Sequence, residues 1–165
     1  MILVAGIGNI FMGDDAFGVE VAQRMLRRGA GDDVRVVDFG IRGYDLAYAL
    51  MDEYDAAILV DATARGEAPG TLYTIEPKWP EIQPGEPVEL EAHGMNPMRV
   101  LRMVQSLGGR PKRVLVVGCE PEALGGDEGA MGLSAAVEAA VDGAIAMIDA
   151  LVAQIAREKE RTLCA

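Results

Sequence analysis

The groups in this chain able to do chemistry are a few carboxylates, one imidazole and one thiol. Asp14 and Asp15 stand side by side after an apolar run, Ile2 to Ile7, and a turn at Gly8 and Asn9. Asp38 falls near the end of a second run (VRVVDFG), and Asp61 near the end of a third (DAAILVDA). His93, the only histidine, precedes Asn96-Pro97, a pairing that resembles a helix cap followed by proline in the first turn. Two aspartate oxygens and an imidazole nitrogen suit a divalent transition ion, with coordination positions left for water or substrate. A site left open in that way suggests chemistry on whatever binds there.

Each group also has a plainer reading. An aspartate ahead of a helix caps it as readily as it binds a metal, so Asp14 and Asp15 both carry the capping alternative. Asp61 could bond to loop amides, and a solitary histidine is more often a packing or surface residue. Cys119 could join His93 and an acid in a thiol-type site. It follows an apolar run (RVLVVG), however, and a small buried thiol is the commoner outcome. Gly6-Ile7-Gly8 invites a dinucleotide-binding reading, but Phe11 occupies the place of the third glycine and two acids stand where pyrophosphate would lie.

The elements that must position these groups follow from periodicity. Ile2 to Gly8, Val34 to Gly40 and Asp55 to Ala62 read as strands, the first apolar on both faces like parallel strands covered by helices, the third with an apolar centre, Ile58 to Val60, that runs straight into Asp61. Helices are expected over Ala16 to Arg28, with Phe17, Val21, Met25 and Leu26 sharing a buried stripe, and over Tyr44 to Met51. Thr71 to Glu76 follows Asp61 too closely for a parallel crossover, so a hairpin and an antiparallel strand are expected. Pro77, Pro80, Pro84 and Pro87 mark an extended loop leading through Glu89 and Glu91 to His93. A helix from Asn96 to about Leu107, a strand from Arg113 to Gly118, a glycine-rich loop and a last helix, capped by Ser134 and running to about Ala156, complete the chain; Arg157 onward reads as frayed. If the first three strands are parallel, Asp15, Asp38 and Asp61 gather at one edge of a sheet.

Composition narrows the class. The 165 residues, 50% of them hydrophobic, suit one domain spanning 1–165. A formal net charge of -11 argues against nucleic acid, whose phosphates require lysine and arginine. Cys119 and Cys164 do not suggest a disulfide framework, and a reducing compartment is expected. No apolar run approaches the roughly 18 residues that span a bilayer, and no basic leader precedes Asp14, so no membrane association and a cytoplasmic location are expected.

Four motifs together carry a resemblance. GIGNIFMGDDAFG, ILVDA ending in the Asp61 segment, AHGMNP around His93 and VVGCEP are similar to those of the hydrogenase maturation proteases, which process the large subunit of nickel-iron hydrogenases. The resemblance runs from the first residues to about the last helix. It implies an α/β fold, a three-layer α/β/α sandwich with a mostly parallel mixed sheet of about five strands, one of them antiparallel. It implies an endopeptidase that removes a C-terminal extension once nickel is inserted, so the partner would be a nickel-loaded large-subunit precursor. Carried over by motif position, Asp15, Asp61 and His93 become the metal-binding and catalytic residues, and the nickel belongs to the substrate. Asp38 becomes a candidate positioning or acid-base group, and Tyr44, Met95 and the proline-rich loop candidate docking elements. Many members have Asp-Gly-Gly-Thr where this chain has Asp38-Phe39-Gly40-Ile41, which bears on substrate choice. Two further classes remain open: a non-catalytic nickel-checking assembly module, and a metallohydrolase with a resident ion.

Overall fold

The computed structural model describes residues 1–79, 96–126 and 128–163. The strands are β1 (Ile2–Ile7), β2 (Val34–Gly40), β3 (Ala56–Ala62), β4 (Leu72–Ile75) and β5 (Val114–Cys119). The helices are α1 (Phe17–Arg28), α2 (Gly43–Ala49), α3 (Pro97–Ser106) and α4 (Ala135–Leu163), and a single 3-10 turn, Asp14–Ala16, joins β1 to α1. The sheet order is β2-β1-β3-β5-β4, parallel except for the β4 pairing with β5.

Alternation along the strands builds the layers, because successive side chains point to opposite faces. From β1, Ile2 and Val4 join α1 and α4 in one core through Phe17, Val21, Met25, Val141 and Ile148. Leu3, Ala5 and Ile7 join the opposite core with Leu46 of α2 and Leu101 and Val104 of α3. The result is the expected three-layer sandwich. Each fully buried aliphatic side chain contributes on the order of 1.5–3 kcal/mol, which is why β1, β3 and β5, buried along their whole length, occupy the middle of the sheet.

Several expectations change in detail. β4 is antiparallel as expected, but it forms no hairpin with β3. β5 takes the place beside β3, and the half-exposed β4 is left at the edge. Leu26 is exposed and leaves the α1 stripe to Phe17, Val21 and Met25. α4 continues to Leu163 past the expected fraying point, supported by Arg113 on Glu158 at 2.8 Å. Contrary to the expectation for apolar runs, α4 is long and apolar enough to cross a membrane by length and composition. Its Val137, Val141, Ala144, Ile148 and Ile155 are nevertheless buried in the core against the sheet. α3 starts as expected, with the Asn96 side chain accepting from the Arg99 N–H at 2.9 Å and Pro97 in the first turn.

Candidate active site

β1 hands the chain through α1 to β2 on one side, whereas β2 hands it through α2 to β3 on the other. The gap beyond the carboxyl ends of β1 and β3 is therefore the switch point at which open α/β sheets leave a crevice. The connection after β1 is tightly packed there. A Cβ on Gly8, which has φ +143°, would lie 1.8 Å from the Asp15 carbonyl oxygen. One on Gly18 would lie 2.0 Å from the Val60 carbonyl oxygen of β3. These two glycines let the 3-10 turn and the first turn of α1 sit directly on the strand ends, and this close seat brings Asp15 to the end of β3.

Asp15 is half-buried, and its Oδ2 accepts the Asn9 N–H at 2.8 Å. Burial raises its pKa above the ordinary carboxylate value, and the Asn9 bond only partly offsets this. Asp61 lies in β3 in register with Gly118 and is only 2% exposed. The edge thus holds Asp61 as expected, but beneath the surface. Its Oδ2 accepts from the Thr63 hydroxyl at 3.3 Å, and its Oδ1 is buried without a hydrogen-bond partner among the described residues. Burial, and secondly the charge of Asp15, push the Asp61 pKa up to about 8. An uncompensated buried acceptor beside a second carboxylate is costly for a fold by itself. A divalent cation would supply what both acids lack, so the donor set fits one.

Asp14 answers the capping question differently from both alternatives. Neither acid caps α1, whose N-cap position is Ala16 with no side-chain bond. Asp14 is 1% exposed and points to the other side of the turn. Its Oδ2 accepts from the Glu122 N–H at 2.8 Å, the Ala123 N–H at 3.0 Å and the Ser134 hydroxyl at 2.9 Å, and its Oδ1 from the Ser134 N–H at 2.7 Å. Burial alone would raise its pKa, but these bonds together hold it below the ordinary value.

Asp38 ends at the same edge, one strand over. Its Oδ2 accepts from Gln23 Nε2 at 3.2 Å, and it lines an open cleft of ≈ 390 Å³ between the Gly8–Phe11 turn and the Gly40–Arg42 turn. Cys119 is fully buried, and burial pushes its thiol up to about 11, the opposite of what a nucleophile requires. Tyr44 is exposed on α2. His93, Glu89, Glu91, Met95, Cys164 and the proline-rich loop from Pro80 lie outside the described residues. Among the described residues, no group of three His, Cys, Asp or Glu side chains could hold a metal; Asp15 and Asp61 meet at the edge, and His93 lies outside the described residues.

Two supports at this edge escape sequence reading. Thr63 reaches Asp61 as described, and Glu120, 5% exposed, accepts the Arg65 and Gly66 N–H groups at 2.7 and 3.3 Å, pinning the loop after β3. An acid directly after a buried strand was the available signal for Glu120. Nothing in the sequence singles out Thr63.

Fold and site define an open α/β protein with an acidic crevice at its switch point. Comparison with known proteins carries this further. Residues 19–150 match the family model described as hydrogenase maturation protease. The chain is 30% identical over 149 residues to the hydrogenase 2 maturation protease of Escherichia coli K12, covering 89% of this chain and 87% of that one. It is 34% identical over 147 residues to the hydrogenase expression/formation protein HupD of Rhodobacter capsulatus, covering 88% and 68% respectively. Among solved structures, the hydrogenase maturating endopeptidase HybD from E. coli superposes with a TM-score of 0.71 at 30% identity, over 93% of this chain and 92% of that one. The chain belongs to the hydrogenase maturation protease family.

Proposed function

We propose that this protein is the endopeptidase that removes the C-terminal extension of a nickel-iron hydrogenase large subunit after nickel insertion, with the nickel arriving as part of the substrate. The observation that carries this reading is the Asp61 Oδ1, buried beside Asp15 without a hydrogen-bond partner among the described residues. In a metal-free protein that oxygen has no function in the fold, but it is suited to a cation delivered from outside. Asp15, Asp61 and His93 would complete the coordination of the precursor-bound nickel and so bring the scissile peptide to the sheet edge. The ion then supplies Lewis-acid polarisation of the scissile carbonyl or activation of the attacking water. The contribution of this chain is to orient that ion, with the Asp61 proton passing to solvent as its carboxylate takes up the cation. Only a loaded precursor fills the site, which makes the reaction conditional on nickel insertion.

The test is incubation with nickel-loaded and nickel-free forms of the cognate precursor, followed by intact-mass spectrometry. Loss of a C-terminal peptide from the loaded form alone is expected. Complex formation without cleavage would instead establish a nickel-checking module, and stoichiometric metal retained by the purified protein would establish a resident ion.

A further inference from the structure

Asp15 carries a demanding task on slender support. It is half-buried, and the only hydrogen bond of its carboxylate to a described residue is the one from Asn9 N–H. It sits on a single 3-10 turn without a side-chain cap, and one such turn has little stability of its own. Its neighbour is held far more firmly. The carboxylate of Asp14 accepts four bonds, three from backbone or hydroxyl donors on Oδ2 and one on Oδ1, reaching both the start of the β5 to α4 segment and its end at Ser134. The backbone is tied to the same segment, with Gly13 N–H on the Ala130 carbonyl at 2.7 Å and Asp14 N–H on the Ala123 carbonyl at 3.1 Å.

We propose that Asp14 is a positioning residue for the reaction: by clamping the 3-10 turn to the segment 122–134, it fixes the direction in which the adjacent Asp15 carboxylate points. Consecutive residues of a 3-10 turn diverge by about 120°. When Asp14 is locked on the α4 side, Asp15 is delivered to the Asn9 side, where the end of β3 lies. With four bonds already on its two oxygens, Asp14 is held away from the role given to Asp15, and the glycine-rich segment becomes part of the frame of the site. The inference rests on the reading of Asp15 given above, but its effect on Asp15 is measurable without metal or precursor.

The experiment follows amide hydrogen exchange and chemical shift in the 15N-labelled, metal-free protein, with Leu59 in the core of β3 as the reporter of global opening. In Asp14→Asn, an amide replaces one acceptor and turns donors toward donors. We expect the protection of Asn9 relative to Leu59 to fall about tenfold or more, with a shifted Asn9 resonance. Ser134→Ala removes the hydroxyl bond to Asp14, together with the 3.4 Å bond that the hydroxyl accepts from the Val137 N–H at the start of α4, and keeps the Ser134 backbone N–H on Asp14; a drop of about two- to fivefold is expected, and this variant decides the matter if Asp14→Asn does not fold. If Glu122, Ala123 and Ser134 lose protection while Asn9 keeps its shift and its protection relative to Leu59, Asp14 is only a structural clamp and the proposal is overturned. A parallel cadmium titration of wild type and Asp15→Asn addresses the metal reading separately: failure of wild type to bind would defeat that reading, while the Asn9 result would still decide the role of Asp14.

Discussion

Three buried carboxylates occupy the same sheet edge, and their surroundings divide them into two kinds. Asp14 and Glu120 have their oxygens occupied by N–H and O–H donors, and each ties a loop to the sheet. Asp61 is as deeply buried, yet one of its oxygens has no partner among the described residues and the carboxylate of Asp15 lies close enough to disfavour its charge. All three are acids at or beyond the carboxyl ends of buried strands. What separates Asp14 and Glu120 from Asp61 is hydrogen-bond satisfaction among the described residues, because a buried acid left unpaired is costly through its own desolvation.

The sharpest way to break this division is to neutralise each kind in turn. Asp61→Asn is expected to reduce processing of a nickel-loaded precursor by about a thousandfold or more, measured by single-turnover mass spectrometry, while the fold persists. Asp15→Asn and His93→Ala should do the same. Asp14→Ala should instead lower unfolding stability by about 2 to 4 kcal/mol in urea titration, since it breaks four part-buried hydrogen bonds at once. If Asp14→Ala were thermodynamically silent, the division into building and working acids would fail.

That division could not be read from the chain alone. The strands, the shared edge and the meeting of Asp15 and Asp61 there were legible, because apolar runs that end in acids have few places to put the charge. The partition of Asp14 from Asp15 was not, since it depends on a segment more than a hundred residues away in sequence folding back to offer its amides. The same holds for the pairing of β4. A short connection dictates its direction, but the competition for the place beside β3 is decided by β5, whose residues are buried on both faces. The burial of Asp61 was likewise hidden, because an acid at a strand end is expected to emerge.

Asp14 and Asp61 should also respond oppositely to pH in the metal-free protein. The pKa of Asp14 is lowered, so its stabilisation is present above the ordinary carboxylate value of 3.8 and is lost as pH falls below it. The pKa of Asp61 is raised to about 8 from 3.8, so its contribution is full below the ordinary value and is lost as pH rises toward 8. Asp61→Asn, which carries no charge, should therefore be more stable than wild type at pH 8 and above, by about 1 to 3 kcal/mol in urea unfolding. The two proteins should converge near pH 4. Cadmium affinity of the wild type should rise by up to about tenfold per pH unit until Asp61 ionises, because binding must displace its proton.

Cys119 offers the smallest effect and a control on the whole comparison. It sits at the same carboxyl edge, buried, with its thiol 3.7 Å from the Glu120 carbonyl and its pKa pushed up to about 11 by burial, and secondarily by Asp14 and Glu120. A thiol in that state supplies almost no thiolate near neutral pH, so it belongs with the residues that build the edge. Cys119→Ser exchanges a small apolar group for a hydroxyl that can donate to the same carbonyl. A loss of about 1 kcal/mol of stability is expected, with processing unchanged within about twofold. If Cys119→Ser were folded by circular dichroism yet unable to process precursor, the thiol would be the working group, and the unpaired oxygen of Asp61 would need another explanation.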